Sequence, residues 1–486
     1  MNYLEVKDSR LTERKYMSDD KQQKNIGSPK EIDRTEALGH ASIKRLLFEY
    51  GGPAIVAMTA SSLYNMVDSI FIGQGVGPLA ISGLALTFPV MNLSAAFGAM
   101  VGVGASTLLS VKLGEGDKDT AKRVLGNVIN LNVLLGFVFM AIMLYYLDPI
   151  LYFFGASDQT IVYAREYLQI ILYGNVITHT YLGLNATLRS AGHPHKAMIL
   201  TIVTVLLNSI LDPIFIYPLK MGIAGAAWAT VIAQSVPLIA LIIHFCNKRE
   251  LIHFSKDIFI PRWAIVRDTI AIGLSPLSMQ AAACCVVIII NRSLNFYGGA
   301  DGDLAIGAYG IITKLAMFCV MMIMGLNQGM QPIVGYNYGA AKYNRVKHAF
   351  KYTVWIATIF STIFFVIAEL FPELVVKAFT KEPRLIELSV YGLRVSSAFF
   401  PILGFQIVTT ALFQSIGLAK TSIFLSLTRQ CLFLIPFLFI LPKFWGLTGV
   451  WFSLPASDLT TSILSAFMLL RLFKRFKKSD KEKAEA

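Results

Sequence analysis

The sequence predicts an all-α integral membrane protein with twelve transmembrane helices in two six-helix lobes related by a parallel internal repeat. Composition, run length and charge placement carry that prediction. Hydrophobic residues make up 55% of the 486 residues and charged residues 15%, with a mean hydropathy of +0.59; an average soluble protein carries about 25% charged residues. Apolar stretches reach about 20 residues, the length a helix needs to cross the hydrocarbon layer, and a membrane β-barrel would show shorter alternating segments. The net charge of +13 lies in loops and tails, which argues against a nucleic-acid surface.

Taken in order, Met1 to about Ser42 is polar and lacks the apolar core of a secretory signal, so residues 1–45 are expected to form a largely disordered cytoplasmic tail. Apolar stretches follow at roughly 47–73, 79–111, 124–148, 160–187, 197–217 and 221–246, then at 264–295, 303–337, 350–371, 385–414, 420–442 and 446–473. The expected organisation is an N-lobe at 46–247, an inter-lobe linker at 248–263, a C-lobe at 264–473 and a basic tail at 474–486. Lys and Arg load alternate loops: Lys112, Lys118, Lys122 and Arg123; Arg189 and Lys196; Lys248, Arg249 and Arg262; Lys342, Arg345 and Lys347; Lys420; and Arg471 onward. The other loops are poor in them. That alternation places both termini in the cytoplasm.

The halves resemble each other. LAIS at Leu79 recurs as LAIG at Leu304, RSAG at Arg189 as QSIG at Gln414, and GIAGAAW at Gly222 as GLTGVWF at Gly446, at offsets close to 225 residues. An even number of spans per unit makes the repeat parallel, with an axis along the membrane normal and a cavity between or within the bundles.

Against this frame, LLNSILDPIFIY places an acid in the fifth span. Asn208 and Asp212 stand four residues apart, on one helical face, and Pro213 removes the amide that would bond the Ser209 carbonyl. A charge at the bilayer centre costs about 2.5–3.5 kcal/mol on insertion scales, so such a residue faces the protein interior and marks a functional site. The first span pairs Tyr64 with Asp68 at the same spacing. The repeat counterparts hold no acid: Asn291 stands opposite Asp68, and LFLIPFLFI stands opposite the fifth-span motif. That asymmetry points to a site in the N-lobe.

These residues identify a resemblance. Across about 45–473, with YNMVDSIFIGQ in the first helix, NSILDPIFI in the fifth and GAAWAT in the sixth, the chain resembles the multidrug and toxic compound extrusion (MATE) transporters. The resemblance implies a V-shaped, inner-membrane antiporter exporting organic cations and other amphipathic drugs in exchange for H+ or Na+. It carries the ion and proton site onto Asp68, Asn208, Asp212 and Thr230, and cavity-lining polar residues onto Tyr64, Tyr167 and Asn185. In the branch with an acid in the seventh helix, sodium is associated with the C-lobe; here that helix offers Gln280 and Asn291 instead. Lys314 and Asp458 are the other candidate polar positions of the C-lobe, with a mutual pairing as one reading. Two carboxylates withdrawn from water and close enough to repel give a proton a place to sit, whereas Asn208 and Thr230 add neutral oxygens suited to an alkali cation. H+ and Na+ both stay open.

Other classes fit less well. No GxxxxGK[ST] motif is present for a primary pump, and His193 and His195 stand on a short loop with no acid close in sequence, so neither an enzyme nor a metal site is expected. No cofactor is expected. A flippase for lipid-linked saccharides shares the architecture, but would call for a broad cationic cavity. The expected partners are small organic cations and lipid, with no nucleic acid, around a monomer. Gly98, Gly102 and Gly104, and likewise Gly325 and Gly329, mark close helix approaches.

Overall fold

The structure, a computed structural model, describes residues 29–485. After α1 (Pro29–His40), the segments that build the first lobe are α2 (Ile43–Gly75), α3 (Pro78–Glu115), α4 (Lys118–Tyr145), α5 (Leu147–Phe153), α6 (Ile161–Tyr173), α7 (Asn175–Ser190), α8 (Pro194–Ile216) and α9 (Gly222–Cys246). The second lobe holds α10 (Trp263–Gly298), α11 (Gly302–Gly339), α12 (Tyr343–Leu370), α13 (Pro372–Lys377), α14 (Pro383–Ser397), α15 (Phe400–Ser415), α16 (Ala419–Leu427) and α17 (Ile435–Glu485). No strand occurs among the described residues.

Several crossings are broken helices. The fourth joins α6 and α7 at Gly174, where an added Cβ would sit 2.4 Å from Val231 of α9. The tenth bends by 54° between α14 and α15. The eleventh passes from α16 through a π-helical turn, Thr428–Leu434, into α17, which reverses at Gly446 with φ 55° to become the twelfth. Counted this way, the described residues make twelve crossings in two lobes of six, as expected.

The repeat survives in the backbone. Left-handed conformations recur at the repeat offset: Gly116 (φ 82°) with Ala341 (φ 51°), Gly192 (95°) with Gly417 (76°), and Gly222 (60°) with Gly446 (55°). Ala341 holds the geometry despite its Cβ, which costs about 1–2 kcal/mol, because its position in the loop is set by the helices on either side.

The lobes meet where glycines let backbones touch. A Cβ on Gly114 of α3 would fall 2.0 Å from the Tyr336 carbonyl of α11, and one on Gly339 of α11 would fall 2.1 Å from the Val111 carbonyl of α3. Val111 and Tyr336 are themselves repeat mates, so this crossing maps onto itself and the pseudo-twofold axis runs through it. Around it, Gly104 meets Thr269 of α10, while Gly325 and Gly329 meet Ile55 and Gly51 of α2. Gly98 and Gly102 serve a contact inside the lobe, against His179, Leu182 and Gly183 of α7. Gln331 adds a polar tie, donating to the Val103 carbonyl at 3.0 Å and to Thr107 at 2.6 Å. These inter-lobe contacts lie in the halves of the helices nearest the basic loops.

One segment departs from expectation. Residues 29–40, assigned to a disordered tail, form α1 and dock: Leu38 is fully buried, and its carbonyl accepts from Asn337 (2.8 Å) and Arg345 (3.1 Å). Its polar composition hid the apolar anchor Leu38. The basic tail after 473 continues α17 as helix to Glu485. Residues 1–28 lie outside the described residues.

Gly114→Ala should lower the melting temperature in detergent, by overpacking worth about 1–3 kcal/mol. Gly52→Ala, with nothing within 4 Å of its new Cβ, should not. Equal melting of the two variants would overturn the close-approach account.

Candidate functional site

The site starts from one helix with an exposed apolar face and a buried polar one. On α8, Leu206, Ile210 and Ile214 are exposed, while Asn208, Asp212 and Ile216 are buried. A soluble helix turns its polar side outward; this one turns it inward, because hydrocarbon offers polar groups no partner. Asn208 Nδ2 donates to Asp212 Oδ1 at 3.2 Å and to Thr230 Oγ1 of α9 at 3.2 Å, and Thr230 in turn donates to the Ala226 carbonyl. From α2, the buried Asp68 brings its carboxyl within hydrogen-bonding reach of Asp212. The structure therefore brings together Asp68, Asn208, Asp212 and Thr230.

The cluster is rich in acceptors. Asp68 Oδ1, Asn208 Oδ1 and Asp212 Oδ2 are buried without a hydrogen-bond donor among the described residues. An unsatisfied buried polar atom costs about 1–3 kcal/mol, and a proton or a small cation is what such a set lacks. Tyr167 of α6 is fully buried in the apolar cluster that flanks this group, with Ile72, Ile216 and Ala226. Asn185 lies elsewhere. Its Nδ2 donates to the Ala197 carbonyl at 3.1 Å and its Oδ1 accepts from Arg189 at 3.3 Å; Ala197 is some fifteen residues from Asp212 on α8, about 22 Å along the axis. The Tyr64 side chain lies outside the described residues.

Comparison with known proteins decides the family. The MatE family model matches residues 53–214 and 281–440, one match in each lobe. The chain belongs to the MatE family. It is 29% identical over 436 residues to the multidrug export protein MepA of Staphylococcus haemolyticus (strain JCSC1435), covering 90% of this chain and 95% of that one. MepA of Staphylococcus aureus (strain N315) is 26% identical over 430 residues, covering 88% and 94%. Among solved structures, an outward-facing multidrug resistance MATE family transporter of the MOP superfamily superposes with TM-score 0.86 at 26% identity, covering 91% of this chain and 98% of that one. A MOP superfamily transporter from Pyrococcus furiosus, described as having a binding pocket of reverse polarity, superposes with TM-score 0.85 at 25% identity, covering 91% and 98%. This MatE protein is thus a multi-pass membrane transporter of the multidrug-efflux kind, and not an enzyme.

The second lobe of the MatE chain is arranged differently. Asp458, 1% exposed, pairs with Arg429 at 2.6 Å and not with Lys314, which is exposed and has no ion pair among the described residues. Arg429 sits in the π-helical turn, on the crossing before that of Asp458, a juxtaposition without a spacing signal in sequence. Gln280 and Asn291 are half-buried on α10. In the first lobe two polar groupings escaped sequence reasoning. Ser94 of α3 joins Asn175 and His179 of α7, the latter at 3.1 Å. His193, expected to stand without an acid, has Glu250 Oε2 3.3 Å from its Nε2; the two are 57 residues apart in the chain, and only folding joins them.

Asp458→Asn should lower the melting temperature, because it takes the charge partner from Arg429, whose side chain is only partly exposed. Lys314→Ala should leave the melting temperature unchanged. A melt that responds to Lys314 and not to Asp458 would reverse the assignment.

Proposed function

We propose that this chain is a secondary antiporter of the inner membrane that exports cationic or amphipathic organic compounds, driven by protons through Asp68 and Asp212. The observation that carries the reading is the contact between these two carboxyls in a buried cluster short of donors. A carboxyl–carboxyl hydrogen bond needs one proton, and removing that proton leaves two like charges facing each other out of water. The pair then has reason to separate or to attract a cation. Asp68 stands on the helix whose Gly51 and Ile55 touch α11 of the other lobe, so a shift at the acids is transmitted to the lobe interface along α2. With both termini cytoplasmic, the contacting halves of the lobes face the cytoplasm and the acid pair lies in the opposite half. The multidrug export relatives support the substrate class.

Reconstituted protein, a fluorescent organic cation and separately imposed pH and sodium gradients test this directly. Asp68→Asn should abolish gradient-driven efflux while the protein stays folded and inserted; efflux at the wild-type rate would sink the proposal. Asp212→Asn should also lower transport severely and shift the pH dependence of what remains, since the like-charge interaction is gone. Asn208→Ala should cost transport modestly without creating a sodium dependence. Efflux that follows a sodium gradient at clamped pH and is lost in Asn208→Ala would make sodium the coupling ion.

A further inference from the structure

Away from the acid cluster, three ligating side chains from three segments converge at the face that carries the basic loops. His193 precedes α8, His244 lies in the last turn of α9, and Glu250 lies four residues beyond the end of that helix, in the segment that leads to the second lobe. Glu250 holds the two imidazoles together: its Oε2 is 3.3 Å from His193 Nε2, and its Oε1 is 3.3 Å from His244 Nδ1. The three ligand atoms lie within 4.8 Å of one another, and the two rings stand edge to face at 4.9 Å. His193 and Glu250 are each 6% exposed, and the group lines a small cavity with Leu251 and Ile252.

We propose that His193, His244 and Glu250 form a binding site for a divalent transition-metal ion of the Zn2+ class. Ligands about 2.0–2.1 Å from a tetrahedral ion are separated from one another by about 3.3 Å; each imidazole keeps that spacing to one Glu250 oxygen, His193 to Oε2 and His244 to Oε1, and with the three ligand atoms within 4.8 Å of one another a small side-chain adjustment brings them onto one ion. Two imidazoles and one carboxylate are a borderline-soft set suited to Zn2+; Ca2+ takes six to eight oxygens and finds too few here. The fourth position is open to the solvent side, where Lys196 stands. Its Nζ lies 3.3 Å from His244 Nδ1 and 3.5 Å from Glu250 Oε1, and its side chain is 48% exposed. The ammonium therefore occupies cation space as an internal competitor, and its flexible stem lets it swing into water when an ion arrives. Lys196 weakens the site and keeps it reversible.

Position gives the site a consequence. The segment after Glu250 is already fastened to α4, where Arg123 donates to the Asp257 carbonyl at 2.9 Å and Asn130 to the Phe259 carbonyl at 2.7 Å. A bound ion adds a bond from the start of that connector to the ends of α8 and α9. It stiffens the link between the lobes and slows their relative movement.

The test uses the full chain, purified without a polyhistidine tag, stripped with chelator and titrated with Co2+ and with Zn2+ alone. The wild-type protein should bind one Co2+ with the intense visible absorption of tetrahedral coordination, and Zn2+ should displace it. His193→Ala, His244→Ala and Glu250→Gln should each weaken binding by about tenfold or more, with metal-free melting temperatures recorded to show that each variant is folded. Lys196→Met, which keeps all three ligands, should bind more tightly than wild type. Absence of the tetrahedral band in both wild type and Lys196→Met would overturn the proposal, as would binding that survives unchanged in folded His193→Ala and His244→Ala.

Discussion

A carboxyl inside a membrane protein has to find its partners within the protein, and the first lobe is arranged around that requirement at Asp212. Lipid can satisfy Leu206, Ile210 and Ile214 on the outer side of α8, but it cannot satisfy the Asn208–Asp212 face. That face turns inward, and α2 and α9 supply Asp68 and Thr230 to meet it. The result is incomplete by design of its chemistry. Acceptors outnumber donors, so the cluster has an appetite for a positive charge that no side chain among the described residues fulfils. The second lobe solves the same problem in the opposite way: Asp458 has a resident guanidinium, Arg429, and is closed as an ion pair.

The lobe interface obeys a different constraint, that of backbone approach. Without a hydrophobic driving force between helices in lipid, contact depends on small residues that let main chains close up. Gly114 and Gly339 sit against each other's helices in a crossing that the repeat maps onto itself, and Gly104, Gly325 and Gly329 extend it to either side. These tight crossings cluster near the basic loops, whereas the acid pair lies towards the other end of the same helices. One rigid element, α2, touches both. In the proposed mechanism, this element carries a change in the protonation of the acids to the lobe interface.

Much of this was legible in the order of residues. Span length, alternating basic loops and the shared offset of the repeat report on hydrophobic thickness, charge placement and chain duplication, all of which act locally or periodically. Asn208 and Asp212 declared themselves through a helical spacing of four. The glycines of α3 and α11 announced close approach, although not which helices they would approach.

Sequence alone determined the class of fold, the number of crossings, the repeat and the two intramembrane acids, Asp68 and Asp212, whose counterparts in the second half carry no acid, because each of these is written in a period or a run. Tertiary structure decided which groups meet. It brought Asp68 to Asp212, gave Asp458 to Arg429 in place of Lys314, anchored α1 through Leu38, placed Asn185 near Arg189 and away from the acids, and set Glu250 between His193 and His244. Contacts between residues on different helices depend on how those helices rotate and cross, and that is settled by the packing of whole faces, which no short stretch of sequence contains.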